Sequence, residues 1–167
     1  MEYKRGVYYI GKERFQWDAV TESDKTSIFV EVKKKPFTRF ARNGSAMEFL
    51  NDLSKSFIES AIQNLQHLTH LKSKHSINLK DGVKDYVLND NGQRFILLSV
   101  SFSDYKSLND YVMVNNIIRC FQSAPFMVDE EFRDNPVIMK KLSDINEVAD
   151  KFKKLYQKTS ELNDGDE

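Results

Sequence analysis

Residues 17–35, with the sequence WDAVTESDKTSIFVEVKKK, decide the fold that this chain predicts. The polar cluster TESDK predicts a turn, and the aromatic and β-branched residues on either side of it predict two strands. The second strand is apolar on both faces until Glu31, which indicates a central position in a sheet. Its end, Glu31-Val32-Lys33, is either part of an ordinary amphipathic hairpin or part of a metal site.

The flanking sequence extends this sheet and covers it with a helix. Upstream, GVYYIG and ERFQWDAV predict two strands that form a hairpin at Gly11. Downstream, PFTRFARNG predicts a loop, and Ser45 with Glu48 forms a capping box that begins a helix running to about Ser73. Apolar residues at helical spacing predict that this helix lies on the sheet. They are Leu50, Leu53, Phe57, Ala61, Leu65 and Leu68.

The second half adds strands and helices in alternation. A polar segment holds a short strand around Tyr86–Leu88, and RFILLSVSF predicts a buried strand. Helices follow from Tyr105 to about Ser123 and from a cap at Ser143 onward. The order predicts an α/β fold, with a small mixed central sheet flanked by helices. We expect a single domain over residues 1–160 and an acidic flexible tail over residues 161–167.

Composition limits the possible partners and compartment. Lys plus Arg and Asp plus Glu both number 25, so a nucleic-acid site must be a local patch. Cys120 is the single cysteine, expected to be buried and inert, and it excludes an internal disulfide. The N-terminal sequence lacks the apolar core of a signal peptide, and the apolar runs are too short for a membrane span. We therefore expect a cytoplasmic protein with no membrane partner.

The opening segment places three chemically useful side chains together. Residues two apart in a strand share a face, so Glu31 and Lys33 point the same way, and antiparallel pairing through the turn brings Asp18 towards Glu31. Asp18, Glu31 and the Val32 carbonyl are candidate ligands for Mg²⁺ or Mn²⁺. Such a metal polarises a phosphate and activates water, and Lys33 would orient that water and offset developing charge.

This arrangement resembles the PD-(D/E)xK nuclease superfamily, whose motif is an acidic residue, a spacer and (D/E)-x-K at the end of the next strand. The matching positions are Asp18 and Glu31-Val32-Lys33, with Trp17 where the motif name has Pro. The resemblance implies a restriction-endonuclease-like core that hydrolyses DNA. It also implies a supporting Gln in the long helix, where helical geometry favours Asn64 over Gln63.

Two further features follow from the resemblance and its neighbourhood. The family's first helix has no counterpart upstream of Gly6, so a homodimer or an additional domain is expected to supply it. Basic residues next to the proposed site either grip DNA phosphates or form a solvated loop. These residues are Lys34, Lys35, Arg39 and Arg42. Phe37 and Phe40 between them either stack on bases or, as we expect, anchor the loop to the core.

The histidines and the remaining motifs point to no other site. His67, His70 and His75 are expected to be surface histidines rather than zinc ligands. The chain has no phosphate-binding loop and no dinucleotide-binding fingerprint. The first hypothesis is therefore a Mg²⁺-dependent nuclease-like domain acting on DNA. The alternatives are a catalytically inactive module of the same fold that binds nucleic acid or a protein partner, and a structural protein that does neither.

Overall fold

A computed structural model describes residues 3–34, 36–101 and 111–164 of the chain. Within them the fold is α/β, as predicted, with a sheet of six strands and several helices. The strands are β1 (Tyr3–Ile10), β2 (Glu13–Glu22), β3 (Thr26–Lys33), β4 (Ser76–Lys80), β5 (Asp85–Asn89) and β6 (Arg94–Ser101). The helices are α1 (Arg39–Arg42), α2 (Ala46–Leu53), α3 (Glu59–Lys74), α4 (Tyr111–Ser123) and α5 (Pro136–Asp164).

The sheet has the strand order β5-β4-β1-β2-β3-β6. Strands β1 to β3 form an antiparallel meander, and β4 pairs antiparallel with both β1 and β5. The amide of Arg94 donates to the carbonyl of Lys25, a bond that joins the starts of β6 and β3. Because both strands begin at this bond, they run in the same direction, and the helices between them form the crossover that a parallel pair requires.

The long helix predicted from Ser45 to about Ser73 is present but interrupted. A π-helical turn, Ser54–Ile58, separates α2 from α3. Its extra residue per turn rotates the following helix, so Ile58 and Ile62 are buried where Phe57 and Ala61 were expected. Leu65 and Leu68 are buried as predicted. The hydroxyls of Ser54 and Ser56 donate to the carbonyls of Asn51 and Asp52, at 2.9 and 2.6 Å.

Several predicted features differ from the structure. The segment RFILLSVSF was expected to be a buried strand, but β6 is an edge strand with Ile96, Leu98 and Val100 exposed. Strand β4 was not predicted, although Ile77 and Leu79 alternate with polar residues, because it lies in a polar segment with two turn signals. Cys120 is exposed rather than buried.

The last two helices also differ from their predicted bounds. Helix α5 begins at Pro136 instead of at a Ser143 cap, because the side chain of Asn135 accepts from the amides of Val137 and Ile138. It extends to Asp164, into the segment predicted as a tail. Residues 105–110 of the helix predicted from Tyr105 to about Ser123 lie outside the described residues.

The chain divides into two compact units, which are described separately. The first comprises Met1–Val32, Gln63–Val100 and Leu155–Glu167. Its core lies between the sheet and α3, and consists of Tyr8, Trp17, Val20, Phe29, Leu68, Leu71, Ile77, Leu79 and Leu88. The hydroxyls of Thr69 and Thr159 are 2.9 Å apart and join α3 to the end of α5.

The second unit comprises Lys33–Ile62 and Ser101–Lys154. Its helices bury an apolar set that includes Ile58, Phe121, Ile145 and Phe152. Lys141 of α5 forms an ion pair with Glu48 of α2. Across the described parts of both units, every helix is too short or too polar to span a membrane.

Candidate functional site

Asp18 lies at an irregularity of the sheet. Lys4 pairs with Val20 and Gly6 pairs with Trp17, so two residues of β2, Asp18 and Ala19, oppose the single Arg5 of β1. This is a β-bulge, which re-aims side chains locally. Trp17 and Val20 are therefore both buried although they are three residues apart. A strict alternation of faces, on which the sequence prediction depended, does not hold at Asp18.

The half-buried carboxylate of Asp18 reaches the Glu-Val-Lys segment. Its Oδ2 accepts a hydrogen bond from the amide of Val32, at 2.9 Å. The last regular pair of the β2–β3 ladder is Ala19 with Val30, which makes Asp18 and Glu31 the next positions along it. Asp18 is thus bonded to the backbone of Val32, whereas the sequence predicted an approach to the carboxylate of Glu31.

The side chain of Glu31 is buried on the helix-facing side of the sheet, in company with Ser27 and Phe29 of the same strand. Only 3% of Glu31 is exposed, and its Oε1 lies 3.0 Å from Nε2 of His67 on α3. His67 is itself 2% exposed, so the prediction that it is a surface histidine is wrong. A buried carboxylate requires a hydrogen-bonding partner, and His67 is that partner.

Hydrogen bonds continue from His67 to two more polar side chains. The Tyr8 hydroxyl lies 2.7 Å from Nδ1 of His67 and 3.0 Å from Nδ1 of His70. We call Glu31, His67, Tyr8 and His70 the buried polar chain. When Nε2–H of His67 donates to Glu31, Tyr8 donates to Nδ1 of His67 and accepts from Nδ1–H of His70. In this order every bond has one donor and one acceptor.

Burial shifts the pKa values of two members of the buried polar chain, Tyr8 and His70. Burial raises the pKa of the Tyr8 hydroxyl above its ordinary value, and the Glu31 carboxylate raises it further. Burial also lowers the pKa of the half-buried His70, an effect increased by His67, Lys158 and Lys74 and opposed by Glu13. Both shifts favour the neutral side chains on which the donor order above depends.

Aromatic rings enclose the middle of the chain. The indole of Trp17 packs on the imidazole of His67, with ring centroids 4.6 Å apart, and on the ring of Tyr8 at 5.1 Å. Phe15 stacks on Tyr8, and its ring meets His70 edge-on at 4.6 Å. These contacts cover the rings of His67 and Tyr8. The sequence contained one hint of the arrangement, since His67 lies one turn from Asn64 on the buried side of the helix.

Asn64, the candidate supporting residue of the long helix, is fully buried. Its Nδ2 donates to the carbonyl of Leu98, at 3.2 Å, and to the hydroxyl of Ser99, at 3.5 Å. Its Oδ1 has no hydrogen-bond partner among the described residues. Asn64 thus ties α3 to β6, and no hydrogen bond recorded in the described ranges joins it to Asp18 or Glu31.

The basic residues after β3 belong to the second unit. Lys33 is the half-buried last residue of β3, while Lys34, Arg39 and Arg42 are exposed. Lys35 lies outside the described residues. Arg39 and Arg42 belong to α1, a single turn that the sequence analysis had assigned to a loop. Its third residue, Ala41, is buried, so the other side chains of the turn point outward.

The two phenylalanines of this segment have different environments. Phe37 packs on Phe49 of α2, with centroids 5.3 Å apart, as the anchoring role predicted. Phe40, for which the same role was predicted, is 70% exposed. That prediction is wrong because α1 buries only Ala41, and Phe40 lies between two exposed arginines. We call Lys34, Arg39, Phe40 and Arg42 the basic-aromatic surface.

The proposed metal ligands do not fit a hydrated Mg²⁺ as they are arranged. Mg²⁺ keeps several waters, which need space beside its carboxylates. The carboxylate of Glu31 lies instead against the ring of His67, and only 3% of Glu31 is exposed. Within residues 3–34, 36–101 and 111–164, no group of three His, Cys, Asp or Glu side chains is placed to hold a metal ion.

Comparisons with known proteins returned no matching family model, no matching curated protein and no matching solved structure. The fold and the geometry define an α/β protein. One unit contains the buried polar chain, and the other carries the basic-aromatic surface.

Proposed function

We propose that this chain is a nucleic-acid-binding domain with a restriction-endonuclease-like core, in which Glu31 has a structural role. The observation that carries the proposal is the basic-aromatic surface, in which Arg39, Phe40 and Arg42 of one helical turn are exposed together with Lys34, six residues before Phe40 in the chain. Residues 33–47 contain five Lys or Arg residues and no Asp or Glu, in a chain whose net charge is zero. Such a local patch attracts phosphates without attraction from the whole molecule.

The motif and the layout support the endonuclease-like core. Asp18 and Glu31-Val32-Lys33 lie on adjacent antiparallel strands, and the helix that follows packs on the sheet. The partner of Glu31 favours a binding role over hydrolysis, because a buried carboxylate bonded to His67 is not positioned to receive a metal.

Fluorescence anisotropy with labelled DNA, in buffer containing EDTA, tests the proposal. We expect binding whose affinity falls linearly with salt concentration on logarithmic axes, because phosphate contacts release counterions. The double variant Arg39→Gln/Arg42→Gln should reduce that slope by about 0.7 per lost phosphate contact on a single strand. The matched control, Lys140→Gln/Lys151→Gln, removes two exposed charges of α5 and should leave the slope unchanged. Binding that is absent, or equally affected by both pairs, contradicts the proposal.

Metal-dependent hydrolysis of DNA is a second candidate function, and the hydrogen bond from the Val32 amide to Asp18 favours it. That bond holds one carboxylate against the segment that contains Glu31 and Lys33. The test is incubation of plasmid, linear duplex and single-stranded DNA with Mg²⁺ or Mn²⁺, alongside Lys33→Ala. Cleavage that requires the divalent ion and is lost in the variant would select hydrolysis. Calorimetric titration of Mn²⁺ into the wild type and Asp18→Asn asks separately whether a metal binds at Asp18.

A further inference from the structure

We infer that the basic-aromatic surface binds single-stranded nucleic acid, with the ring of Phe40 stacking on an unpaired base. The inference rests on the proposed function and specifies the class of ligand. It depends on three observations, which are the exposure of Phe40, its rigid support and the charge around it.

The exposure of Phe40 is unusual for its position. Ala41 is the buried residue of helix α1. The other three residues of this helix, Arg39, Phe40 and Arg42, are exposed. Burying a Phe side chain is worth roughly 1.5–3 kcal/mol, and the neighbouring Phe37 is packed against Phe49. Isolated exposed apolar residues are common on proteins, so exposure alone indicates no site. The surroundings of the ring are what distinguish this one.

The turn that carries Phe40 is anchored at both ends. At its start, the hydroxyl of Thr38 accepts from the amide of Ala41 at 3.3 Å, and the amide of Thr38 donates to Oδ2 of the buried Asp52 at 2.6 Å. At its end, the amide of Asn43 donates to the carbonyl of Arg39, and Gly44 follows with φ +93°. A fixed backbone presents the ring with little loss of conformational freedom on binding, which favours affinity.

The charge around the ring selects the partner. Lys34, Arg39 and Arg42 are all exposed, and the nearest acidic residue after them in the chain, Glu48, is paired with Lys141. Binding of single strands combines cations that follow the backbone with an aromatic ring on which a base stacks. In a duplex the bases already stack on one another, so phosphate contacts remain but the ring has no base face to meet.

Anisotropy with strands of about 20 nucleotides, single or fully duplexed, in EDTA, tests the inference. Phe40→Leu keeps apolar volume but removes the ring, and should weaken single-strand binding roughly tenfold. Phe40→Trp keeps a ring and should retain single-strand affinity within about twofold. Duplex affinity should change less than about twofold in either variant. Phe132→Leu is the matched control, since Phe132 is 41% exposed but lies beside Glu130 and Glu131.

The outcomes separate the inference from the proposal beneath it. Failure to bind either form of DNA would overturn both. Salt-dependent binding in which Phe40→Leu changes nothing, or weakens single strand and duplex equally, would overturn the stacking inference and leave the binding function intact. The expected pattern is a single-strand loss in Phe40→Leu, retention in Phe40→Trp and no change in Phe132→Leu. Thermal unfolding of each variant confirms that the compared proteins are equally folded.

Discussion

The buried polar chain and the basic-aromatic surface use similar residue types in opposite ways. In the first, Glu31 and His67 are almost fully enclosed, and both ring nitrogens of His67 have a hydrogen-bond partner. In the second, charged side chains and an aromatic ring face solvent on an anchored turn. Satisfied buried groups contribute to stability and specificity of the fold, whereas exposed groups on a rigid support are available to a ligand. The comparison therefore predicts that variants of the first change stability and variants of the second change binding.

The largest effect is expected for Glu31→Ala. The substitution leaves Nε2 of His67 without its partner in a buried environment and opens a cavity beside it. An unsatisfied buried donor costs about 1–3 kcal/mol of the free energy of unfolding, and the cavity left by the deleted side chain adds to that loss. Urea denaturation measures the loss, with the exposed Glu131→Ala as control, expected within about 0.5 kcal/mol of the wild type. A similar small change in Glu31→Ala would remove the structural role assigned to Glu31.

A smaller loss is expected for Tyr8→Phe. The hydroxyl of Tyr8 contacts both His67 and His70, and its removal leaves two ring nitrogens without that partner. The expected cost is about 1–3 kcal/mol. Tyr9→Phe is the matched control, because the adjacent Tyr9 is exposed and its hydroxyl is free to reach water. If the two substitutions change the free energy of unfolding by the same amount, the polar chain has no special role in stability.

The pKa shifts of His70 and Tyr8, two members of the buried polar chain, predict how the free energy of unfolding depends on pH. The pKa of His70 is lowered in the folded protein, so the unfolded state binds more protons below the ordinary pKa of histidine. The contribution of His70 to the free energy of unfolding is therefore fully present above the ordinary pKa of histidine, and it is lost as the pH falls below that pKa. The pKa of Tyr8 is raised, so stability falls again as the pH rises above the ordinary value for tyrosine.

These two limits are checked by measuring the free energy of unfolding between about pH 5 and pH 11. His70→Asn should reduce the dependence on the acid side, and Tyr8→Phe the dependence on the alkaline side. An unchanged acid slope in His70→Asn would mean that His70 is not responsible for it.

The smallest effect on stability is expected for Arg39→Gln/Arg42→Gln. Both side chains are exposed, so the free energy of unfolding should change by no more than about 0.5 kcal/mol. The same variant is expected to weaken DNA binding, as described above. If the free energy of unfolding falls by several kcal/mol, these arginines stabilise the fold. The contrast between a stabilising region and a binding region would then be wrong.

Much of the fold could be predicted because it depends on local patterns. The first three strands, the N-cap at Ser45 and the buried Leu65 and Leu68 follow from periodicity and turn chemistry, whereas the Glu48 side chain of the predicted capping box pairs with Lys141 instead of the Ser45 amide. The π-helical turn could not be predicted in the same way. It changes the buried residues from Phe57 and Ala61 to Ile58 and Ile62, and no residue of Ser54–Ile58 marks it in the sequence.

The candidate site was predicted in part. Asp18 does reach the Glu-Val-Lys motif, but through the amide of Val32 rather than the carboxylate of Glu31. The burial of Glu31 could not be predicted, because it depends on His67, which lies 36 positions away in the chain. The exposure of Phe40 was also not predicted. The pattern of apolar and basic residues in this segment does not show which residue of a one-turn helix is buried.

The sequence by itself determined the α/β class, the order of the first strands and the concentration of positive charge after β3, because turn residues, periodicity and composition act locally along the chain. Only the tertiary structure decided that Glu31 is paired with His67, which in turn is bonded to Tyr8, and that Phe40 is exposed next to two exposed arginines. Burial and pairing join residues that are distant in sequence, and hydrogen-bond partners in the interior are set by the packing of α3 on the sheet.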